Sequence, residues 1–147
     1  MTIGTQYLTH GERVEPQAVL AWTTLAAGAL VLLFWAAYFS DAAGLGQQDA
    51  LKANFEAAFP LADLVFAGVL IATGVLFLMR RESATFFLVA AASMSLYLGL
   101  LDVTFYARHG LYAPLTPDAI TEIAINALCI GGGVFGLKAA WRMRRLA

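Results

Sequence analysis

Apolar residues dominate four long stretches of the chain, and most polar residues lie in the segments between and outside them. The stretches cover residues 18–39, 60–79, 84–106 and 119–137, and none contains more than one charged side chain. About 20 apolar residues are enough for a helix to cross the hydrocarbon core, and a backbone in lipid must satisfy its own hydrogen bonds. The pattern predicts an all-α integral membrane protein, with four transmembrane helices in an antiparallel bundle that forms one domain over residues 1–147.

The segment between the first two spans has a pattern of its own. Apolar side chains recur at every fourth position, at Leu51, Phe55 and Phe59. Charged side chains fall on the opposite face of such a helix, at Asp49, Lys52 and Glu56. This spacing predicts a short amphipathic helix over residues 48–58, lying on the outer membrane surface. A pair between Lys52 and Glu56 would stabilise it by roughly a few tenths of a kcal/mol.

Residues near the ends of the spans predict their boundaries. Thr116, Pro117 and Asp118 combine a hydroxyl cap, a proline for the first turn and an acid at the positive end of the helix dipole, so they predict a helix start. Tryptophan and tyrosine side chains near a membrane boundary form aromatic belts. On the outer side the predicted belt is Trp35, Tyr38, Tyr106 and Tyr112.

Composition supports the same class of protein. Hydrophobic residues make up 61% of the chain and charged residues 13%, whereas a soluble domain carries about 25% charged residues. The net charge is −1, and no basic patch is interleaved with aromatics, so no nucleic acid partner is expected. The single cysteine, Cys129, excludes an internal disulfide and the paired-cysteine redox and zinc motifs.

Basic residues are distributed unequally between the two sides of the predicted bundle. Lys52 and Arg108 fall on one side. The other seven of the nine lie on the side that holds both termini and the turn between the second and third spans: Arg13, Arg80, Arg81, Lys138, Arg142, Arg144 and Arg145. The positive-inside rule then predicts cytoplasmic termini, and the expected location is a bacterial inner membrane.

Each of the last three spans carries a single acid: Asp63, Asp102 and Glu122. At 1.5 Å rise per residue these acids lie roughly 24–30 Å from the cytoplasmic ends of their helices. In a core about 30 Å thick they therefore share a layer near the outer boundary, and Asp41 ends the first span on the same side. Acids within spans usually face the bundle interior or water, which makes them functional candidates.

Helical spacing adds two residues to the candidate site. Asn126 is one turn from Glu122, and Tyr106 is one turn from Asp102, so each pair shares a helix face. If these faces point inward, the outer half of the bundle contains a polar pocket above an apolar floor. The predicted ligand-binding residues are Asp63, Asp102, Tyr106, Glu122 and Asn126.

A purely structural role is the alternative for two of the acids. Asp63 and Glu122 lie near the N-termini of their helices, where the dipole stabilises a carboxylate by about 0.3–1 kcal/mol. Asp102 lies near a C-terminus, where the dipole disfavours a negative charge. It is expected to have a partner, which is Arg108, Tyr106, a bound cation or a proton on the carboxyl group itself.

Other chemistries lack the residues that they need. No lysine lies inside a predicted span, so a retinal Schiff base has no attachment point. The two histidines, His10 and His109, are predicted on opposite sides of the membrane and cannot ligate one haem. We expect no cofactor and no bound metal. Gly132 and Gly136 have a small-xxx-small spacing, which favours close helix packing within the bundle or in a homo- or hetero-oligomer.

Three functions remain open at this stage. The first is binding of a lipid-like or cationic small molecule by the carboxylates in the outer half of the bundle. The second is acid–base catalysis by the same carboxyls on an isoprenoid or sterol-like substrate, as in an isomerase or cyclase. The third is a structural role as an accessory subunit of a larger membrane complex.

In size, helix count and acid placement the chain resembles the emopamil-binding type of four-helix membrane protein, although it shares no motif with that type. The resemblance implies carboxylates that engage cationic amphiphiles or move protons on sterols.

Overall fold

The structure is a computed structural model that describes residues 16–40 and 50–144. Regular structure in these ranges is entirely helical: α1 Pro16–Phe39, α2 Ala50–Glu56, α3 Pro60–Leu78, α4 Ala84–Arg108 and α5 Pro117–Arg144. Four of the helices, α1, α3, α4 and α5, are long and apolar enough to cross a membrane. The prediction of an all-α chain with four apolar spans is therefore confirmed, and it indicates an integral membrane protein. Asp41, Asp49, Arg13, Arg145 and His10 lie outside the described residues.

The helix bounds differ from the predicted spans mainly at the C-terminus. α5 continues past the predicted end at residue 137 and carries Lys138 and Arg142 in its last turns. Charge interrupts the apolar pattern there but not the helix, because lysine and arginine are good helix formers and are favoured near a helix C-terminus. The short loop helix α2 covers Ala50–Glu56, inside the predicted range 48–58.

Local capping explains where three helix ends lie. α3 ends with Arg80 in the left-handed region at φ 53°, and the Arg81 amide donates to the Leu76 carbonyl in a Schellman pattern. α4 ends in the same way, with Gly110 at φ 66°. At the start of α5 the Ala119 amide donates to the Thr116 hydroxyl at 3.1 Å, which confirms the predicted cap.

The long helices pack in the order α1, α3, α4, α5, whereas α1 and α5 do not pack extensively against one another along their described length. Glycines bring the packed pairs together. A Cβ atom on Gly28 would lie 3.1 Å from the Ala67 carbonyl oxygen, and one on Gly74 would lie 2.7 Å from the Ala21 carbonyl oxygen. α1 and α3 therefore approach backbone to backbone.

The contact between α4 and α5 is also built on glycine. A Cβ atom on Gly133 would lie 2.8 Å from the Ala92 carbonyl oxygen, and one on Gly136 would lie 2.9 Å from the Ala92 Cβ. By contrast, no described atom lies within 4 Å of a Cβ built on Gly132. Gly132 and Gly136 thus have different surroundings within one chain, and an oligomeric contact through them stays a prediction.

Apolar packing differs between the two ends of the bundle. We call the end with Arg80, Lys138 and Arg142 the basic end, and the end with Asp63 and Glu122 the acidic end. At the basic end a buried cluster, the basic-end cluster, unites all four long helices: Leu20, Ala21, Phe77, Ala84, Leu88 and Ala140. A second cluster toward the acidic end joins α1, α3, α4 and the α2 region without a described α5 residue: Trp35, Phe59, Phe66, Leu70, Ala91 and Leu98.

Candidate ligand-binding cavity

A cavity of about 580 Å³ runs along the inside of the four long helices, and α2 also contributes to its wall. Its middle and its basic end are lined mainly by apolar side chains such as Leu20, Leu70 and Leu88. The acidic end is lined by four carboxyl side chains, each from a different helix: Glu56, Asp63, Asp102 and Glu122. Lysine, arginine and histidine are absent from the described lining.

Asp63 is held by a tryptophan from the neighbouring helix. The Trp35 indole Nε1 donates to the Asp63 Oδ2 atom at 2.9 Å. Trp35 is only 8% exposed, so its prediction as an outer-belt residue is wrong. The side chain turns inward because the indole N–H meets a hydrogen-bond acceptor there, and a buried indole N–H needs one.

Lys52 is the centre of an ion cluster at the acidic end. Its Nζ atom lies 2.6 Å from Asp118, 3.6 Å from Glu56 and 3.7 Å from Glu122. It also lies 5.5 Å from the centre of the Tyr106 ring, within cation–π range. The cluster connects α2 to α5, and it confirms the predicted pair between Lys52 and Glu56.

Burial and the neighbouring acids shift the pKa of the Lys52 ammonium in opposite directions. Burial lowers its pKa, but the hydrogen bond with Asp118 and the negative charges of Glu122 and Glu56 outweigh that effect. The net result is a pKa above the ordinary value for lysine. Lys52 is thus positively charged at neutral pH and neutralises part of the acidic end.

Burial in and after α2 does not follow the two faces that the spacing predicts. Lys52 of the charged face is 7% exposed and Leu51 of the apolar face is 42% exposed, whereas Phe59 of the apolar face is 8% exposed. Ring stacking fixes the orientation of α2, because Phe55 lies face to face with Phe105 of α4, their ring centres 3.6 Å apart. Lys52 then points toward the carboxylates, where it gains ion pairs that water on the other face would weaken.

Tyr106 is buried between the cluster and the loop that precedes α5. Its hydroxyl donates to the Glu56 Oε1 atom at 3.4 Å, and its ring centre lies 5.4 Å from that of Tyr112. Tyr106 lines the cavity, as the sequence predicts. It therefore supplies a hydroxyl to the acidic end in addition to the ring beneath Lys52.

Asp102 is the exception among the acids. It lines the cavity, yet no hydrogen bond or salt bridge to its side chain occurs within the described ranges. Arg108, one of its expected partners, is exposed and does not line the cavity. The carboxyl oxygens of Asp102 are not fully buried. Because Asp102 lines the cavity, its carboxyl group faces the cavity space.

Asn126 lies away from the cavity. It is 3% exposed, and its Nδ2 atom donates to the Tyr112 hydroxyl at 3.0 Å. Its Oδ1 atom is buried and has no partner in the described chain. Asn126 is therefore not part of the cavity wall, whereas the other four predicted residues, Asp63, Asp102, Tyr106 and Glu122, line it.

Three residues at the acidic end were not predicted as site residues from the sequence: Lys52, Trp35 and Glu56. One signal for Lys52 was present, because Lys52 and Arg108 are the only basic residues on the side that holds the span acids. Trp35 had no distinguishing pattern, since a tryptophan near a span end also fits an interfacial belt. Glu56 could have been inferred from Lys52, one turn before it.

The acids are not arranged as a metal site. The described residues contain no group of three or more histidine, cysteine, aspartate or glutamate side chains that could hold a metal ion. His109 is exposed at the end of α4 and does not line the cavity.

Comparison of the chain with protein-family models, curated proteins and solved structures finds no match. The case for a function therefore rests on the geometry of the cavity. The cavity is large enough for a small molecule, has four carboxyl side chains at one end and is lined mainly by apolar side chains elsewhere.

Proposed function

We propose that this protein binds a hydrophobic small molecule with a cationic group, and that the carboxylates at the acidic end of the cavity hold that group. The observation that carries the proposal is Asp102. It is a carboxyl group that faces the cavity without a hydrogen-bond or ion partner in the described chain, and no base occurs in the described lining.

Charge balance favours a cation. Lys52 pairs with Glu56 and Glu122, which leaves Asp63 and Asp102 without a basic partner among the described residues. A carboxylate next to a low-dielectric cavity is costly unless it is paired, hydrogen-bonded or protonated. An ammonium group would satisfy it with charge-assisted hydrogen bonds.

Size and polarity favour an amphiphile. Ligand cavities measure about 300–1,000 Å³ and are mostly apolar, with a few polar groups that orient the ligand. The cavity of about 580 Å³ fits this description, with its polar groups gathered at one end. An organic cation with a hydrophobic body matches both ends of the cavity.

The same proposal includes an orientation in the membrane. We place the helices antiparallel, with the termini in the cytoplasm of a bacterial inner membrane and α2 at the outer surface. The paired close contacts of Gly28 with Ala67 and Gly74 with Ala21 support the antiparallel arrangement. The basic side chains of Arg80, Lys138 and Arg142 at the end opposite the acids support the orientation.

Substitution of Asp102 tests this function. The protein is reconstituted in nanodiscs and titrated with a dansyl-labelled dodecyltrimethylammonium probe. Asp102→Asn should weaken binding at least about tenfold, because a hydrogen bond or ion pair to a charged group contributes about 1.5–3 kcal/mol. A dansyl-labelled dodecyl alcohol should bind weakly to both proteins. Glu82→Gln, at an exposed acid of the basic end, is the matched control.

The supporting and the refuting results are distinct. Loss of cation binding in Asp102→Asn with binding retained in Glu82→Gln supports the proposal. Equal binding of the cationic and neutral probes, or binding that is unchanged in both variants, would refute it.

Acid–base catalysis is a second candidate, and one observation favours it. Asp63 and Asp102 line the same cavity but differ in surroundings, because Trp35 donates to Asp63 and no described group donates to Asp102. Carboxyls in unequal environments can divide the roles of acid and base in an enzyme. Purified protein incubated with extracted membrane lipids and analysed by mass spectrometry should return an isomerised product if this candidate is right. The role as an accessory subunit stays a prediction.

A further inference from the structure

The exposed part of the cavity wall belongs to two helices. Among the described residues that line the cavity, those classed as exposed all lie on α1 or α5: Thr23, Leu30, Leu128, Gly132 and Phe135. The lining residues of α3 and α4 are buried or half-buried. The cavity therefore opens between α1 and α5, and α3 and α4 form its back wall.

Helix packing gives the same result independently. α1 packs on α3 and α5 packs on α4, but α1 and α5 do not pack extensively against each other over their described length. α5 is fixed at the basic end by Ala140 in the basic-end cluster. At the acidic end it is fixed by Asp118 and Glu122 through Lys52. We call the open region between these two attachments the α1–α5 slit.

The slit lies at the depth of the hydrocarbon. Gly132 is about 9 Å along α5 from Lys138, at 1.5 Å rise per residue. It lines the cavity, and a Cβ atom built on it would have no described neighbour within 4 Å. The residues around it, Leu128 and Phe135, are 75% and 62% exposed and apolar. At this depth we expect lipid chains, rather than water, to border the opening.

We propose that the ligand is a membrane-dissolved, single-chain cationic amphiphile that enters and leaves sideways through the α1–α5 slit. This inference rests on the proposed function. The cationic group lies at Asp102, and the apolar chain extends through the slit past Gly132. The Lys52 cluster joins α2 to α5 at the acidic end, and the α1–α5 slit is the opening that faces the hydrocarbon.

Charge complementarity selects this occupant over the others. The slit is continuous with the acidic end, where Asp102 lacks a partner in the described chain. An uncharged lipid chain would fill the slit but would leave that carboxyl unpaired. A second copy or a partner helix would cover Leu128 and Phe135, but its own apolar surface would place no cation at Asp102.

Two adjacent glycines provide a matched test. Gly131 and Gly132 are both exposed, and both have open space beyond the Cβ position, but only Gly132 lines the cavity. Association of the dansyl-labelled dodecyltrimethylammonium probe is followed by stopped-flow fluorescence with protein in nanodiscs. Gly132→Leu should slow association and dissociation about tenfold or more, within the range over which interface variants change on-rates. Gly131→Leu should match the wild type.

A short probe completes the test. Tetraethylammonium has no chain to lie in the slit, so its Asp102-dependent equilibrium affinity should be the same in Gly132→Leu as in the wild type. Equal association rates of the long probe in all three proteins would overturn the slit as the path. An equal loss of affinity for both probes in Gly132→Leu would also overturn it, because the leucine side chain would then fill the binding space itself.

Two further results are informative. If Gly132→Leu converts an oligomeric wild type to a monomer, as judged by light scattering, a second copy occupies the slit and the inference is wrong. If neither probe shows any dependence on Asp102, the proposed function has failed, whatever the rates in the glycine variants.

Discussion

The two ends of the bundle hold the same helices together by different means. At the basic end, α5 joins α1, α3 and α4 in one apolar cluster that includes Ala140, Leu20 and Phe77. Toward the acidic end the apolar cluster contains no described α5 residue. There α5 is joined to α2 by the ion pairs of Lys52 with Asp118 and Glu122.

This difference explains why the cavity wall is open between α1 and α5. Apolar packing fills space, because buried side chains interdigitate at the density of organic crystals. Ion pairs connect helices at a few points and leave the space between them open. The acidic end can therefore hold α5 in place while α1 and α5 stay apart. The two ends of one small bundle are thus held by different interactions, apolar packing at the basic end and ion pairs at the acidic end.

The largest effect is expected from removing the cation at the acidic end. Lys52→Met keeps most of the apolar stem but removes the ammonium group that pairs with Glu56 and Glu122. The free energy of unfolding should fall by about 3 kcal/mol, the low end of the range for breaking a buried pair, because Asp118 is 61% exposed. Unfolding is measured in a mild detergent.

The control for this variant lies at the other end. Lys138→Met removes an exposed lysine of the basic end and should change the free energy of unfolding by about 0.5 kcal/mol or less. If both variants lose the same amount, the Lys52 cluster does not stabilise the acidic end and the comparison of the two ends fails.

A smaller effect is expected from adding a methyl group to the close contact between α1 and α3 toward the basic end. In Gly74→Ala the new methyl group would lie 2.7 Å from the Ala21 carbonyl oxygen, so α1 and α3 must move apart. Overpacking of this kind costs about 1–3 kcal/mol. Gly68→Ala, on the same helix with open space beyond it, should instead stabilise by up to about 1 kcal/mol. Thermal unfolding of the two variants is the measurement. The midpoint temperature should fall for Gly74→Ala and rise for Gly68→Ala.

The smallest effect is the contribution of Lys52 to the pH dependence of the free energy of unfolding. Burial lowers its pKa, but Asp118, Glu122 and Glu56 raise it more, so the folded value lies above the ordinary 10.5. A raised lysine pKa stabilises the folded state below the unfolded pKa of about 10.4, and this stability is lost as pH rises through the folded pKa. Between pH 9 and 12 the wild type should lose more stability than Lys52→Met. Parallel pH profiles would contradict this assignment.

Most of the secondary structure could be predicted, because the solvent imposes it. A span in lipid must be helical and apolar, so the bounds of α3 at Pro60 and of α5 near Thr116 follow from proline, capping and charge signals along the chain. The end of α5 was placed too early, since Lys138 and Arg142 end the apolar run without ending the helix.

The candidate site was predicted only where helix position fixes it. Asp63, Asp102, Tyr106 and Glu122 line one cavity because their heights and faces follow from helix geometry. Asn126 shares a face with Glu122, yet it turns toward Tyr112 in the preceding loop. The path of that loop is not a helix property, so periodicity could not predict it.

The chain by itself determined four apolar helices, their approximate bounds and the layer that their acids share, since each of these depends on neighbours a few residues away and on the solvent. Only the tertiary structure decided that Lys52 turns inward, that Trp35 holds Asp63 and that α1 and α5 do not pack extensively against each other. Those features depend on contacts between residues far apart in the chain. The stacking of Phe55 on Phe105 fixes the rotation of α2, and nothing within the seven residues of α2 encodes it.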